Sequence, residues 1–224
     1  MVSISPDYKI MYIHVTKTGG TYLQSILSTY YDFYMYNFVS FTYKEKVYSH
    51  KTSIIDYYKN IEICRVLNLT PELIDNMIKI TSVRNPYTRF ISGWKFMTST
   101  DSINKDITLE NLIGNYTINK NSIDNEHYNH VFCTQKDQLK GCNNLRICKF
   151  ENLDEEFSDI MRNLGYKIVH QNIEINKTPD YGDVFDYYNE FILEFVNTNF
   201  YEDFIEYDYK IANSLDELKE ILKK

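Results

Sequence analysis

The chain has 224 residues, with 24 Lys or Arg against 31 Asp or Glu and a formal net charge of −7. This length suits one α/β domain, and no Pro-, Gly- or Ser-rich linker divides it, so we expect a single domain over residues 1–224. The acidic balance argues against a nucleic-acid partner, because phosphate backbones require a basic face. No window approaches the roughly 18 continuous apolar residues of a membrane span.

The first informative segment joins a strand to a helix. Lys9–Val15 is a short apolar run that predicts a strand, and helical spacing of apolar residues predicts a helix over about Gly20–Asp32. Between them stands KTGGT. The N–H groups and positive dipole end of a helix N-terminus form an anion site there, because glycines let an anion approach the main chain. Its side-chain donors would be Lys17, Thr18 and Thr21.

The order of residues in KTGGT differs from that of an ATP or GTP loop. Such a loop reads G-x-x-x-x-G-K-[ST], whereas Lys17 precedes Gly19 and Gly20 here. The shorter cradle suits a shorter anion, such as a 5′-phosphate carrying one further group. The alternative is a Gly-Gly turn that binds nothing.

A second strand, loop and helix follow. After an irregular aromatic segment to Ser49, we expect a helix over Lys51–Lys59 and another that begins at Pro71 with Thr70 as its cap. Then come a strand, Met77–Val83, and a helix, Pro86–Thr100.

Arg84 would stand at the carboxyl end of that second strand, where open α/β sheets bind ligands. An arginine fork there, with the hydroxyl of Ser92, suits a second phosphate. Arg89 either adds to this positive charge or is a solvated residue or the partner of an acid.

The rest of the chain continues the alternation. We expect a helix capped by Thr108, a strand over Leu145–Phe150, a helix over Asp154–Leu164, a long helix through Tyr187, Phe191 and Phe195, and a last helix that begins at a capping box of Ser214 and Glu217. Strands alternating with helices predict an α/β fold with a mainly parallel sheet covered on both faces, which makes three layers.

Several segments together resemble one enzyme family. They are KTGGT at 17–21, RNPYTRFIS at 84–92, HVFCTQKDQL at 130–139, FENLDEEF at 150–157, NKT at 176–178 and YEDFIEYDY at 201–209. In this order they resemble the PAPS-dependent sulfotransferases, in particular the carbohydrate sulfotransferase branch, over about residues 10–209. The resemblance implies a P-loop NTPase-like fold, PAPS as co-substrate, PAP as product, no metal and a carbohydrate or glycoconjugate acceptor.

The resemblance also implies roles for residues. The first loop would hold the 5′-phosphosulfate, the second would hold the 3′-phosphate, and NKT would add a further contact. The implied cofactor-binding residues are Lys17, Thr18, Gly19, Gly20, Thr21, Tyr22, Arg84, Ser92 and Lys177.

Sulfuryl transfer needs a base on the acceptor side and a cation near the departing oxygen. We expect Lys17 to be the cation and His50, in YSHKTS, to be the base, with His130 as its competitor. Two other functions stay open: a kinase or NTPase with a variant phosphate loop, and a non-catalytic glycan-binding protein. Arg84 with Ser92 argues against the kinase, which has no use for a 3′-phosphate site.

Composition bears on source and location. Asn, Ile, Lys and Tyr are abundant, with 21 tyrosines but only 7 glycines, which is typical of an AT-rich genome. We therefore expect a phage, a large DNA virus or an AT-rich microbe as the source. The N-terminus lacks a basic region followed by a long apolar core, so we expect a soluble, cytoplasmic protein, in the host cytoplasm if the source is viral.

Overall fold

The structure is a computed structural model that describes residues 1–36, 64, 68–100, 103–119, 131–168 and 183–223. The chain divides into two compact units, one made of Met1–Arg84 and Asp137–Lys177, the other of Asn85–Lys136 and Thr178–Lys224. We describe each unit by itself. The single domain expected from the sequence stays a prediction.

The first unit contains the sheet. Its strands are β1 (Val2–Ile4), β2 (Ile10–Ile13), β3 (Tyr34–Tyr36), β4 (Ile78–Val83) and β5 (Leu145–Lys149), in the spatial order β3-β1-β2-β4-β5. Strands β2, β4 and β5 pair in parallel, whereas β1 pairs antiparallel with both β2 and β3. The α/β class is confirmed, and the sheet is mixed.

Both antiparallel strands lie where the sequence predicted none. Strand β1 reverses into β2 through a turn in which Ser5 Oγ accepts the N–H of Ile10 at 2.9 Å and Tyr8 has φ 57°. Strand β3 falls in the segment expected to be irregular, so that expectation is wrong for Tyr34–Tyr36. Each strand has three residues, too few to show an alternating pattern in sequence.

The helices follow in chain order. They are α1 (Gly20–Tyr30), α2 (Pro71–Asn76), α3 (Pro86–Ser99), α4 (Leu109–Asn119), α5 (Gln135–Gln138), α6 (Leu153–Asn163), α7 (Glu190–Asn199), α8 (Tyr201–Glu206) and α9 (Leu215–Leu222), with 3₁₀ turns at Phe150–Asn152 and Val184–Tyr187. In the first unit α1 and α6 pack against the sheet. Their shared core includes Tyr12, Leu23, Leu27, Ile80, Cys148, Phe157 and Met161.

The second unit is helical and has an aromatic core. Phe90 on α3 lies 5.7 to 6.1 Å, centroid to centroid, from the rings of Phe132, Phe195 and Phe200. Edge and tilted ring contacts of this kind add to the free energy of burial.

Short-range signals predicted several helix ends correctly. The Thr70 hydroxyl accepts the N–H of Leu73, the Thr108 hydroxyl accepts that of Asn111, and the Ser214 hydroxyl accepts that of Glu217.

The prediction of one long helix through Tyr187 is wrong, because the Asn189 side chain caps a new helix by accepting the N–H of Ile192 at 2.9 Å. The helix expected over Lys51–Lys59 lies outside the described residues. Within the described ranges, no helix is long and apolar enough to cross a membrane.

Candidate active site

The turn from β2 into α1 contains two residues with left-handed backbones. Lys17 has φ 65°, and Gly19, the residue before the helix, has φ 83° and ψ 11°. A side chain at Gly19 would be strained twice, because its Cβ would also lie 2.8 Å from Leu153 Cδ2. Lys17 is not a glycine, so its positive φ costs free energy. Contacts from the surrounding structure must therefore hold the loop in this conformation.

Gly20 is required for a different reason. A Cβ there would lie 2.2 Å from Cδ2 of the His14 ring, so the ring and a side chain cannot coexist. The ring is held in turn: His14 Nδ1 lies 2.8 Å from Gln24 Oε1, and Gln24 Nε2 donates to Ser3 Oγ at 3.1 Å. Gly20, the first residue of α1, therefore packs against an imidazole ring that Gln24 of α1 holds, and Ser3 of β1 holds Gln24 in turn.

Thr18 turns its hydroxyl into the protein. The side chain is fully buried, and Oγ1 donates to Val15 O at 2.9 Å and lies 3.0 Å from Ser82 Oγ. Ser82 Oγ also lies 3.1 Å from the hydroxyl of Tyr12, whose pKa burial raises. These bonds hold the loop on the sheet, and the expected contact of Thr18 with the cofactor stays a prediction.

The start of α1 has the properties of an anion site. The first intrahelical bond runs from Leu23 N–H to Gly19 O at 3.2 Å, which places the N–H groups of Gly20, Thr21 and Tyr22 before it. No side chain caps this end, and the first turn holds no acidic residue. These N–H groups form the positive end of the helix dipole, and the side chain of Thr21 is exposed beside them.

Tyr22 is engaged with α6. Its hydroxyl donates to Asp154 Oδ1 at 2.7 Å. Burial, and then the neighbouring Asp154, raise the pKa of Tyr22 to about 12. This hydroxyl joins two helices of the unit, and its expected contact with the cofactor stays a prediction.

Arg84 follows β4, as the sequence predicted, and lies beside the loop because β2 and β4 are parallel neighbours. Its guanidinium carbon is 4.1 Å from the centroid of the Phe150 ring, and Nη1 makes a long contact of 3.5 Å with Lys17 O. Phe150 also limits the space at Gly19, where a Cβ would lie 3.0 Å from Phe150 Cδ2. One aromatic ring therefore orients the arginine and packs against the loop.

Gln138 is a loop contact that the sequence did not indicate. Its Oε1 accepts the N–H of Thr16 at 3.0 Å, and its Nε2 donates to Thr16 Oγ1 at 3.2 Å. The two residues are 122 positions apart in the chain, so only the fold brings them together.

A model of the sulfotransferase family matches residues 1–210. The chain belongs to the sulfotransferase family. It is thus an enzyme of a family whose members generally take PAPS as co-substrate. No curated protein and no solved structure matches the chain in the same comparisons.

In this sulfotransferase, motif residues of the second unit form a buried cluster. Asp203 on α8 accepts the N–H groups of Gln135 and Lys136 at 2.9 Å each, and Arg89 donates to Cys133 O at 2.8 Å. Burial raises the pKa of Asp203, and the charge of Arg89 opposes that rise. Arg89 is 1% exposed and feels the charge of Asp203, so the structure excludes a solvated Arg89 and favours its interaction with a buried acid.

The remaining expected site residues divide into two groups. Ser92 is half-buried on α3 in the second unit, and its pairing with Arg84 at a 3′-phosphate stays a prediction. His50, His130 and Lys177 lie outside the described residues.

Proposed function

We propose that this sulfotransferase transfers the sulfuryl group of PAPS to a hydroxyl of a carbohydrate acceptor. The observation that carries the proposal is the backbone from Lys17 to Gly20, which turns from β2 into the uncapped N-terminus of α1. The 5′-phosphosulfate would bind to the N–H groups of this helix end, with Lys17 beside it. Arg84 and Ser92 would bind the 3′-phosphate, and Lys177 would add a further contact with the nucleotide.

The reaction forms one bond and breaks one. The acceptor hydroxyl oxygen attacks sulfur in line, the bond from sulfur to the bridging oxygen breaks, and PAP leaves with the electron pair. The hydroxyl proton passes to a base, for which we propose His50, with His130 as the competing candidate. Lys17 would act on the charge that develops on the bridging oxygen, and the loop N–H groups would share this stabilisation.

Calorimetry with PAP and ADP tests the nucleotide site. Only PAP carries a 3′-phosphate, so PAP should bind much more tightly than ADP, and Arg84→Ala should remove most of that preference. The expected loss is about 2 to 4 kcal/mol, or roughly 30-fold to 700-fold in affinity for PAP. Arg146→Ala removes the same charge from an exposed position on β5 and should leave the preference intact. Equal affinity of the wild type for PAP and ADP would reject the site.

Turnover separates binding from chemistry at Lys17. A radiolabelled sulfate screen over glycans identifies an acceptor, and Lys17→Ala is then compared with wild type. Because the ammonium acts on the transition state, the substitution should lower kcat more than it weakens PAP binding. A kcat within a factor of about three of wild type, under 1 kcal/mol of barrier, would exclude this role.

The base is assigned by two parallel substitutions. His50→Ala should lower kcat by roughly 100-fold to 10,000-fold with PAP affinity near wild type, since the residue would face the acceptor. The loss of rate at acidic pH should disappear in that variant. If His130→Ala is the inactive protein and His50→Ala is not, the base is His130; if both turn over normally, neither histidine is the base.

A further inference from the structure

Gln138 binds the residue that precedes the proposed catalytic lysine. Both ends of its amide are used on Thr16, with Oε1 3.0 Å from the backbone nitrogen and Nε2 3.2 Å from Oγ1. Gln138 is 9% exposed, so these bonds are made where water competes little. Thr16 is therefore held at its backbone and at its side chain by one partner.

Thr18, on the other side of the lysine, is held as well. Its hydroxyl is bonded to Val15 O and lies 3.0 Å from Ser82 Oγ. Lys17 thus stands between two anchored residues and has φ 65°, a backbone region that costs free energy for any residue with a side chain. Such a conformation persists only where the surrounding structure over-determines it. The direction in which the Lys17 side chain leaves the backbone depends on these anchors.

We infer that Gln138 is a positioning residue for sulfuryl transfer, which acts by holding Thr16 and so the left-handed backbone of Lys17. The inference rests on the proposed function, because it assigns a consequence to Lys17 at the leaving phosphate. A small displacement of a catalytic group lowers the rate of the chemical step more than it lowers affinity, because the transition state requires close alignment. The amide suits the task since it offers an acceptor to the Thr16 N–H and a donor to the Thr16 hydroxyl oxygen without adding charge beside an anion site.

The first test compares Gln138→Met with wild type and repeats the comparison in a Lys17→Ala background. Met keeps length and apolar volume but makes neither hydrogen bond. We expect kcat to fall about 10-fold to 100-fold, while PAP affinity from calorimetry changes less than about threefold. In the Lys17→Ala background the same substitution should change kcat by less than about twofold, because the group that it positions is already gone. Equal effects in both backgrounds would show that Gln138 does not act through Lys17.

A second readout needs no cofactor. Trypsin cleaves after Lys17 only when the loop leaves its held conformation, so the cleavage rate at this bond, followed by mass spectrometry, reports loop release. Gln138→Met should be cut at least several-fold faster than wild type. Gln138→Glu, whose carboxylate can accept from both the N–H and the hydroxyl of Thr16, should be cut as slowly as wild type. Fast cleavage of the Glu variant, or slow cleavage of the Met variant, would overturn the inference.

Controls separate the possible failures. Asn197→Leu removes a half-buried amide that bonds Tyr87 and Ala212 in the second unit. This variant should be less stable than wild type with the loop residues unchanged. It should keep the wild-type kcat and the slow cleavage after Lys17. If wild type binds no PAP and transfers no sulfate, the proposed function has failed. If wild type is active and Gln138→Met matches it in kcat, the positioning role alone has failed.

Discussion

Replacing Gly20 by alanine tests the packing beneath the proposed anion site. The new Cβ would lie 2.2 Å from His14 Cδ2 and 2.6 Å from Cγ, so the whole ring must move. Overpacking costs about 1 to 3 kcal/mol, and the shift also breaks the bond of His14 to Gln24, worth about 1 kcal/mol. We expect Gly20→Ala to lose about 2 to 4 kcal/mol of stability in urea denaturation, or roughly 4 to 16 °C in Tm for a chain of this size.

Two further variants identify the cause of that loss. In a His14→Ala background the ring is gone, so adding Gly20→Ala should change stability by less than about 0.5 kcal/mol. Gly114→Ala, inside α4 with nothing within 4 Å of the new Cβ, should instead stabilise by about 0.5 to 1 kcal/mol. A full loss from Gly20→Ala in the absence of the His14 ring would refute the packing argument.

Two other predictions concern the second unit. Asp203→Asn removes a buried carboxylate that accepts the N–H groups of Gln135 and Lys136 and whose charge acts on buried Arg89, and it should lose about 3 to 5 kcal/mol in urea denaturation. Glu202→Gln, exposed on the same helix, should lose little, and equal losses would contradict a stabilising role of the buried carboxylate. The backbone N–H and the side-chain amide of Asn213, which donate to the Glu217 carboxylate, lower the pKa of Glu217 below its ordinary 4.5. Its contribution to stability is therefore present above that pH and is lost as pH falls through the folded-state pKa. The stability gap between wild type and Glu217→Gln should therefore shrink from pH 7 to pH 3, and a constant gap would contradict this assignment.

The parts of the fold that the sequence predicted correctly are those with short-range causes. The caps at Thr70 and Ser214 are hydrogen bonds between a side chain and an N–H three residues away. Because both groups lie within one short segment, the sequence pattern is enough to predict the bond. Strand β1 has no such local signal, because its three residues are stabilised by pairing with β2 and β3. The sequence did not indicate the break before α7, because the helical spacing of apolar residues continues across Asn189. In the structure the side chain of Asn189 accepts the N–H of Ile192 and so starts a new helix there.

The same distinction applies to the site. KTGGT indicated a turn into a helix, and Arg84 could be placed at a strand end, because both follow from the order of residues along the chain. Phe150 and Gln138 have no pattern that connects them to the loop, since each reaches it only through the fold. Likewise, nothing in the sequence indicated that Thr18 is buried with its hydroxyl beside Ser82. Residue type alone does not tell whether a hydroxyl faces a ligand or the core.

An acidic chain that binds a polyanion must produce positive potential locally. The net charge of −7 gives no long-range attraction, and exposed charges further apart than about 10 Å are screened at ordinary salt. At the proposed site the potential comes from short-range sources: the end of α1 with no acid in its first turn, Lys17, and Arg84 held over Phe150. These sources are useful only if they are aimed, because a dipole or a cation displaced by an ångström loses much of its effect on a reacting group. The internal contacts of the loop fit that requirement. His14 beneath Gly20, Ser82 behind Thr18 and Gln138 on Thr16 stabilise the geometry in which, at the proposed site, a few positive groups would meet one anion.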